Sequence, residues 1–186
     1  MAHVEQNEFI QSVKNHYPQY FNGVKVLEVG SLDLNGTVRG SFTNCDYTGL
    51  DVGPGPGVDI VCSGHVYDAP DNTFDTVISC ESFEHNPEWV STFNNMWRMC
   101  KHNGLFIMTC ATKGRLEHGT TRSFPQDSPL TIKNGWEYYK NLNEQDFYDA
   151  IPKFEQMFHG YCFKEEQRVK FLNDLYFVGR VWKAWV

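Results

Sequence analysis

The chain has no run of apolar residues long enough to cross a bilayer. Its first residues, MAHVEQNEFIQ, hold no apolar stretch of the signal-peptide kind. Both absences argue for a cytoplasmic protein with no membrane partner. Paired cysteines are missing too: Cys45, Cys62, Cys80, Cys100, Cys110 and Cys162 show no CxxC spacing, and several lie within apolar runs. That pattern speaks against a disulfide framework or a zinc site, and for buried, reduced thiols. Basic residues number 16 against 23 acidic, a formal charge of −7, and they form no cluster. A broad phosphate-tracking face for nucleic acid is therefore not expected. Internal repeats and linker-like segments are also absent. What remains is 186 residues, 41% apolar and 15% aromatic, enough for one domain with a full core and too few for two.

The organising stretch is Val24 to Gly36, VKVLEVGSLDLNG. Val24, Val26, Leu27 and Val29 have the composition of a strand buried on both faces. The run stops at Gly30 and gives way to Ser31, Asp33, Asn35 and Gly36. A parallel strand that ends this way leaves backbone N–H groups uncovered at its carboxyl end, where ligands bind in open α/β sheets.

Before it, Phe9, Ile10, Val13 and Tyr17 recur at helical spacing, which predicts a helix from about Glu5 to Tyr17. After it come a short helix over Thr37–Phe42, a strand over Cys45–Asp51, and the loop VGPGPG at Val52–Gly57. Further strands are predicted at Val58–Cys62 and Thr73–Cys80. Asn86 as N-cap and Pro87 at the first position open a helix that carries Trp89, Val90, Phe93, Met96, Trp97 and Cys100 on one face. It should stop near Lys101-His102-Asn103-Gly104, before a strand at Leu105–Cys110. From Ala111 to Lys140 the periodicity vanishes, and such a long unpatterned segment is usually functional. A helix over Leu142–Ile151, capped by Asn141 or Asn143, and strands near Met157–Phe163 and Asp174–Trp182 complete the chain. Near-continuous apolar strands in this order argue for a parallel sheet with helices on both faces.

Four pieces carry a family resemblance. Val26-Leu27-Glu28-Val29-Gly30 is a strand ending in E-x-G. Asp51 closes the second strand about twenty residues on. Asp71-Asn72-Thr73-Phe74-Asp75-Thr76-Val77-Ile78-Ser79 leads into the fourth strand. Glu81-Ser82-Phe83-Glu84-His85 precedes a helix, and Asn103-Gly104-Leu105-Phe106-Ile107 follows it. In this order they resemble the class I S-adenosylmethionine-dependent methyltransferases, of the small type-11-like kind. The match is good from Val24 to Cys110, weak to Glu137, and fair again at Asp174–Val178.

The resemblance implies a single doubly wound, mostly parallel seven-stranded sheet of Rossmann-like α/β type, its last strand antiparallel. It divides one domain into an N-terminal helix (1–20), a cofactor-binding core (24–110), a substrate loop or lid (111–140) and a C-terminal helix with strands (141–186). It implies S-adenosylmethionine as cofactor, held by Glu28, Gly30, Ser31, Asp51, Val52, Ser63, Gly64, His65, Cys80 and Glu81. Within that set Asp51 would take the ribose hydroxyls, a task suited to a carboxylate that accepts two hydrogen bonds. Glu28 would order the cofactor loop, and Cys80 and Glu81 would border the methyl-donor end. The chain departs from the pattern at Gly30-Ser31-Leu32-Asp33-Leu34, where leucines replace glycines, and at Ser63, where relatives carry an acidic residue on the adenine. Ser63 or the backbone of Gly64-His65 would serve there.

Catalytic and substrate roles fall on His85 and His118, with Trp136, Tyr138 and Tyr139 as further substrate residues. His85 reads either as a local hydrogen-bonding residue or as a proton acceptor. His118 reads as a substrate contact or a solvated loop residue, and the three aromatics as packing or substrate walls. Glu81, Glu84 and His85 spell ExxEH, which resembles a metal-binding pattern of ubiquinone-pathway and small-RNA-end O-methyltransferases. The same letters occur in metal-free relatives, and the sequence assigns no metal.

The expected activity is methyl transfer to an oxygen or nitrogen of a small polar acceptor. Alternatives are a metal-assisted O-methyltransferase using ExxEH, with His118 as an added ligand, and a cofactor-binding protein without catalysis. A nicotinamide-dependent oxidoreductase is disfavoured by the missing GxGxxG. Acceptor identity and oligomeric state stay open.

Overall fold

The computed structural model describes residues 4–168 and 172–184. Its frame is one seven-stranded sheet of order β3-β2-β1-β4-β5-β7-β6. The strands are β1 Lys25–Val29, β2 Asp46–Asp51, β3 Ile60–Val61, β4 Phe74–Cys80, β5 Cys100–Ala111, β6 Phe158–Arg168 and β7 Leu172–Val181. β1 through β5 pair in parallel, and β7 runs antiparallel to both β5 and β6. Among the described residues the α-helices are α1 Val4–His16, α2 Trp89–Met99, α3 Pro129–Lys133 and α4 Glu144–Ala150. Among the described residues no helix is long and apolar enough to cross a membrane.

Successive strand residues point to opposite faces, so the apolar runs of the central strands feed two cores. Val26, Ile78, Leu105 and Ile107 pack with Ile10 and Val13 of α1. Leu27, Val77, Phe106 and Met108 pack on the other face with Phe93 and Met96 of α2 and Phe147 of α4. Helices thus cover both faces, and the strand order reverses beside β1, between β1 and β4.

Several elements differ from the sequence expectation. The helix expected over Thr37–Phe42 is a single 3-10 turn, Arg39–Ser41. β3 keeps only two residues, both exposed at the sheet edge. Asp59 is drawn off the strand, its carboxylate accepting from the Gly49 N–H at 2.7 Å and pairing with Arg39 at 3.0 Å. Asn86 does not cap α2. Its Oδ1 accepts from the Glu88 N–H at 2.8 Å, which tightens a turn and moves the helix start to Trp89. The helix ends at Met99, with no glycine cap near residue 104. The chain passes straight into β5, where Phe74 pairs with Cys100 before the register shifts to Thr76 and Leu105. Asn103, not Gly104, takes the left-handed conformation there (φ 63°). Asn143, one of the two expected caps, holds α4 through a reciprocal capping box with Asp146.

Candidate active site

The carboxyl ends of β1, β2 and β4 open into one cleft with about 640 Å³ of space, its mouth included. Glu28, Gly30 and Ser31 come from β1 and its turn, Asp51 from β2, and Cys80, Glu81 and Ser82 from β4. The backbone turns sharply here because Gly30 and Ser31 both donate to the Leu50 carbonyl at 2.9 Å. Gly30 is required twice over. Its φ is +83°, and a Cβ would stand 2.5 Å from that of Ser82. Glu81 also adopts a left-handed backbone (φ 49°), an uncommon conformation for a residue with a side chain and one that clusters at functional sites.

A narrower extension shares Gly30, Asp51 and Ser82 and continues past Val52, Ser63 and Gly64 to Trp136. His65 stands behind it, bonded to the Ser63 hydroxyl through Nδ1 at 2.8 Å, with its ring 6.4 Å from that of Trp136. Nine of the ten residues expected to hold a cofactor therefore line the cleft or the adjoining pocket that shares Gly30, Asp51 and Ser82 with it, and His65 supports it.

Asp51 accepts from the Leu32 N–H at 3.0 Å and the Val52 N–H at 2.8 Å. Burial raises its pKa and these two bonds oppose the rise. A carboxylate offers about four lone-pair sites, so capacity remains for a ligand. Glu28 is more deeply set, and Tyr47 donates its hydroxyl to it at 2.7 Å. Burial pushes the Glu28 carboxyl up to about 7, against the pull of Tyr47 and Arg39.

At the other end His85 lines the cleft. Its ring lies 4.9 Å from that of His118 and 5.5 Å from that of Tyr139. Burial, reinforced by His118, pushes His85 down to about 3, and burial lowers His118 as well. Both imidazoles are neutral near pH 7. Beside them Glu84 is fully buried, and burial plus the Glu81 charge push its carboxyl up to about 8. The structure thus brings His85, His118 and Tyr139 together, while Tyr138 packs against the core on the α2 side. Trp136 stands apart from them, in the Asp51–Ser63 half.

Sequence reasoning missed the roof of the cleft, Asp127 to Thr131, which spans a 3-10 turn and the start of α3. A Cβ on Gly53 would stand 2.8 Å from Leu130 Cδ2, so this roof rests directly on the VGPGPG loop. It also missed Gln6 of α1, which donates to Thr109 Oγ1 at 3.0 Å. Thr109 in turn donates to Glu81 Oε1 at 2.8 Å. No local signal marks either feature.

Residues 48–108 match the family described as "Methyltransferase domain". No curated protein sequence matches the chain. Among solved structures it resembles Burkholderia thailandensis 1,6-didemethyltoxoflavin-N1-methyltransferase, crystallised with 1,6-didemethyltoxoflavin and S-adenosylhomocysteine. The TM-score is 0.65 at 12% identity, over 95% of this chain and 78% of that one. It also resembles Haemonchus contortus phosphoethanolamine N-methyltransferase 2 in complex with S-adenosyl-L-methionine (TM-score 0.64, 14% identity, 97% of this chain). There it spans only 53% of the longer protein. An Archaeoglobus fulgidus SAM-dependent methyltransferase is similar over 94% of both chains, with TM-score 0.60 and 12% identity. At these identities the likeness is one of fold. Together with the domain match over residues 48–108, it makes the chain similar to S-adenosylmethionine-dependent methyltransferases and gives it their fold.

Proposed function

We propose that the chain binds S-adenosylmethionine in this cleft and transfers its methyl group to an oxygen or nitrogen of a small polar acceptor. The observation that carries the proposal is the meeting of Gly30, Asp51 and Glu81 in one cavity at the carboxyl edge of the sheet. The residues fit the cofactor: Asp51 keeps acceptor capacity for ribose hydroxyls, and the bare Cα of Gly30 leaves room above the strand end. Bound there, the cofactor supplies a methyl group on positively charged sulfur.

The chain's own residues bind, orient and exclude water. Asp51 takes the ribose, Ser63, Gly64 and Trp136 wall the adenine, and Cys80 with Glu81 border the methyl end. The 111–140 segment acts as a lid over a single domain, its residues 127–131 closing the cleft against water. The acceptor enters beside His85, with His118 and Tyr139 behind it. With its pKa pushed down to about 3, His85 is a weak base near neutral pH, so positioning supplies most of the acceleration. The six free thiols fit a cytoplasmic setting.

Calorimetry with adenosylmethionine and with NADH, beside adenosylhomocysteine release over a panel of hydroxyl and amine acceptors, tests this. Binding of adenosylmethionine alone, followed by turnover with one acceptor class, is expected. Binding without turnover over a broad panel would favour a cofactor-binding protein, and no binding would overturn the site.

A further inference from the structure

A second groove lies at the opposite edge of the sheet, and its charge is the reverse of the cleft's. β4 and β5 begin at Phe74 and Cys100, and β7, antiparallel to β5, ends beside them at Val181. Residues flanking these strand ends, the last turn of α2 and the 3-10 turn before β6 enclose about 2160 Å³ of space, its mouth included. Among the described residues four basic side chains line it, Arg98, Lys101, Lys153 and Lys183, against one acid, Asp71. The cleft at the carboxyl edge is lined by Glu28, Asp51, Glu81 and Asp127 and, among the described residues, by no lysine or arginine. In a chain of formal charge −7 the groove is a local positive surface that favours an anion.

The walls of the groove are aromatic as well. Trp97 of α2 donates its indole N–H to the Met157 carbonyl at 2.9 Å, which fixes the ring. Trp182, just past β7, packs against His102 and His159, with ring centroids 4.8 Å and 3.8 Å away. Both indoles are only partly buried and line the open space. Lys183 forms the floor. Its ammonium donates to Asn72 Oδ1 at 2.7 Å and to the Arg98 and Cys100 carbonyls at 2.7 and 2.6 Å, and stands 5.0 Å from the Trp97 ring centre. Those bonds use all three of its N–H groups, so Lys183 offers charge and no further donor.

The donors left for a ligand belong to the other three. Lys101 gives one N–H to Asp75 at 2.6 Å, and Arg98 uses two of its five on Asn95 and Asp71. Lys153 is exposed and has no ion-pair partner among the described residues. It also holds a left-handed backbone (φ 60°), a conformation that concentrates at functional sites when the residue is not glycine.

We propose that this groove binds a mononucleotide, its planar base against Trp97 and Trp182 and its phosphate against Arg98, Lys101 and Lys153. A heteroaromatic ring is what indole faces stack, and a phosphate answers clustered lysine and arginine. A bare anion would not call for the two indoles, nor an apolar ligand for the cations. Asn94 and Gln156 on the same wall carry amides that both donate to and accept from a base edge. The site needs nothing from the transfer proposal, because the two cavities lie at opposite edges of the sheet.

Calorimetry with GMP, UMP, their nucleosides and inorganic phosphate, each with and without saturating adenosylhomocysteine, tests the site. One nucleotide per chain should bind at least about tenfold tighter than its nucleoside or phosphate, more weakly as salt rises, and without displacement by adenosylhomocysteine. Lys153→Gly suits a φ of 60° and so keeps the fold, and it should weaken the nucleotide by about threefold. Trp182→Ala should weaken it by at least about fivefold. If circular dichroism shows Trp182→Ala unfolded, Lys153→Gly carries the comparison. No binding of either nucleotide, displacement by adenosylhomocysteine, or unchanged affinity in the folded variants overturns the site. A single-stranded RNA hexamer that binds far more tightly than either nucleotide overturns the mononucleotide in favour of a strand. Adenosylhomocysteine binding without nucleotide binding defeats only this site, and nucleotide binding without adenosylhomocysteine binding defeats only the transfer proposal.

Discussion

Tyr47 of β2 donates its hydroxyl to Glu28 of β1 at 2.7 Å, reaching across the strand pair to a carboxyl buried beneath the cofactor cleft. Burial dominates this carboxyl and lifts it from 4.5 to about 7, with Asp51 and Asp33 adding to the rise and Tyr47 and Arg39 opposing it. In the folded protein Glu28 therefore keeps its proton over a range where the unfolded chain has lost it. Stability from this group is present below about pH 4.5 and falls as pH rises toward 7, by up to about 3 kcal/mol. Glu28→Gln should cancel that loss. Denaturant unfolding at pH 5 and pH 8 should find the variant gaining on the native protein at the higher pH. A constant difference between the two pH values would show that Glu28 titrates normally.

In the proposed function, Asp51 is the residue on which cofactor binding turns. Removing its carboxylate deletes two charge-assisted bonds to a ribose, worth about 1.5–3 kcal/mol, so Asp51→Ala should weaken adenosylmethionine by at least tenfold. The same change also frees the Leu32 and Val52 N–H groups, so a modest fall in Tm should accompany it. Unchanged calorimetric affinity would mean that the ribose lies elsewhere.

The strand ends around Asp51 were readable in the sequence because β1 and β4 are short, largely buried β-branched runs and β2 ends in Asp51 just before the loop VGPGPG. β5 was half readable. Its apolar half, Leu105 to Cys110, stands out, whereas Cys100 to Gly104 looks like a helix end because lysine, histidine and asparagine hide a strand that pairs through its backbone. The residues expected to hold a cofactor follow from the strand ends, and the structure places nine of the ten around the cleft and its neighbouring pocket. His118 was offered as an added partner of ExxEH, but its stand against His85 depends on a loop with no periodicity folding back over the sheet. The same loop concealed Asp127 to Thr131 as a roof, and the place of Trp136 within it.

Gly30 permits a direct test of the turn. Alanine there meets both an unfavourable φ of +83° and the Ser82 side chain at 2.5 Å. Gly30→Ala should destabilise by about 1–3 kcal/mol. Adding Ser82→Gly should recover the steric part and leave the backbone part, so the double-mutant cycle should show favourable coupling. Strict additivity would place Ser82 farther from Gly30 than the structure has it.

Trp136 and His118 belong to one segment, yet Trp136 lines the pocket beside Asp51 while His118 packs behind His85, which separates two roles that the sequence merged. Trp136 lines the half that holds Asp51, Ser63 and Gly64, so in the proposed function it stands beside the adenosine. His118 touches only the acceptor end, through His85 and Tyr139. Trp136→Ala should therefore weaken adenosylmethionine by roughly three- to tenfold, the worth of an aromatic contact of about 0.5–1.5 kcal/mol. His118→Ala should leave that affinity within about twofold and lower turnover instead, because only the placement of the acceptor is disturbed. Calorimetry for the cofactor beside initial rates of adenosylhomocysteine release reads both quantities in each variant. If the two substitutions act alike, either both on affinity or both on turnover alone, the 111–140 segment does not divide the cleft this way. The Trp136 ring would then be only a structural cover over the loop at His65.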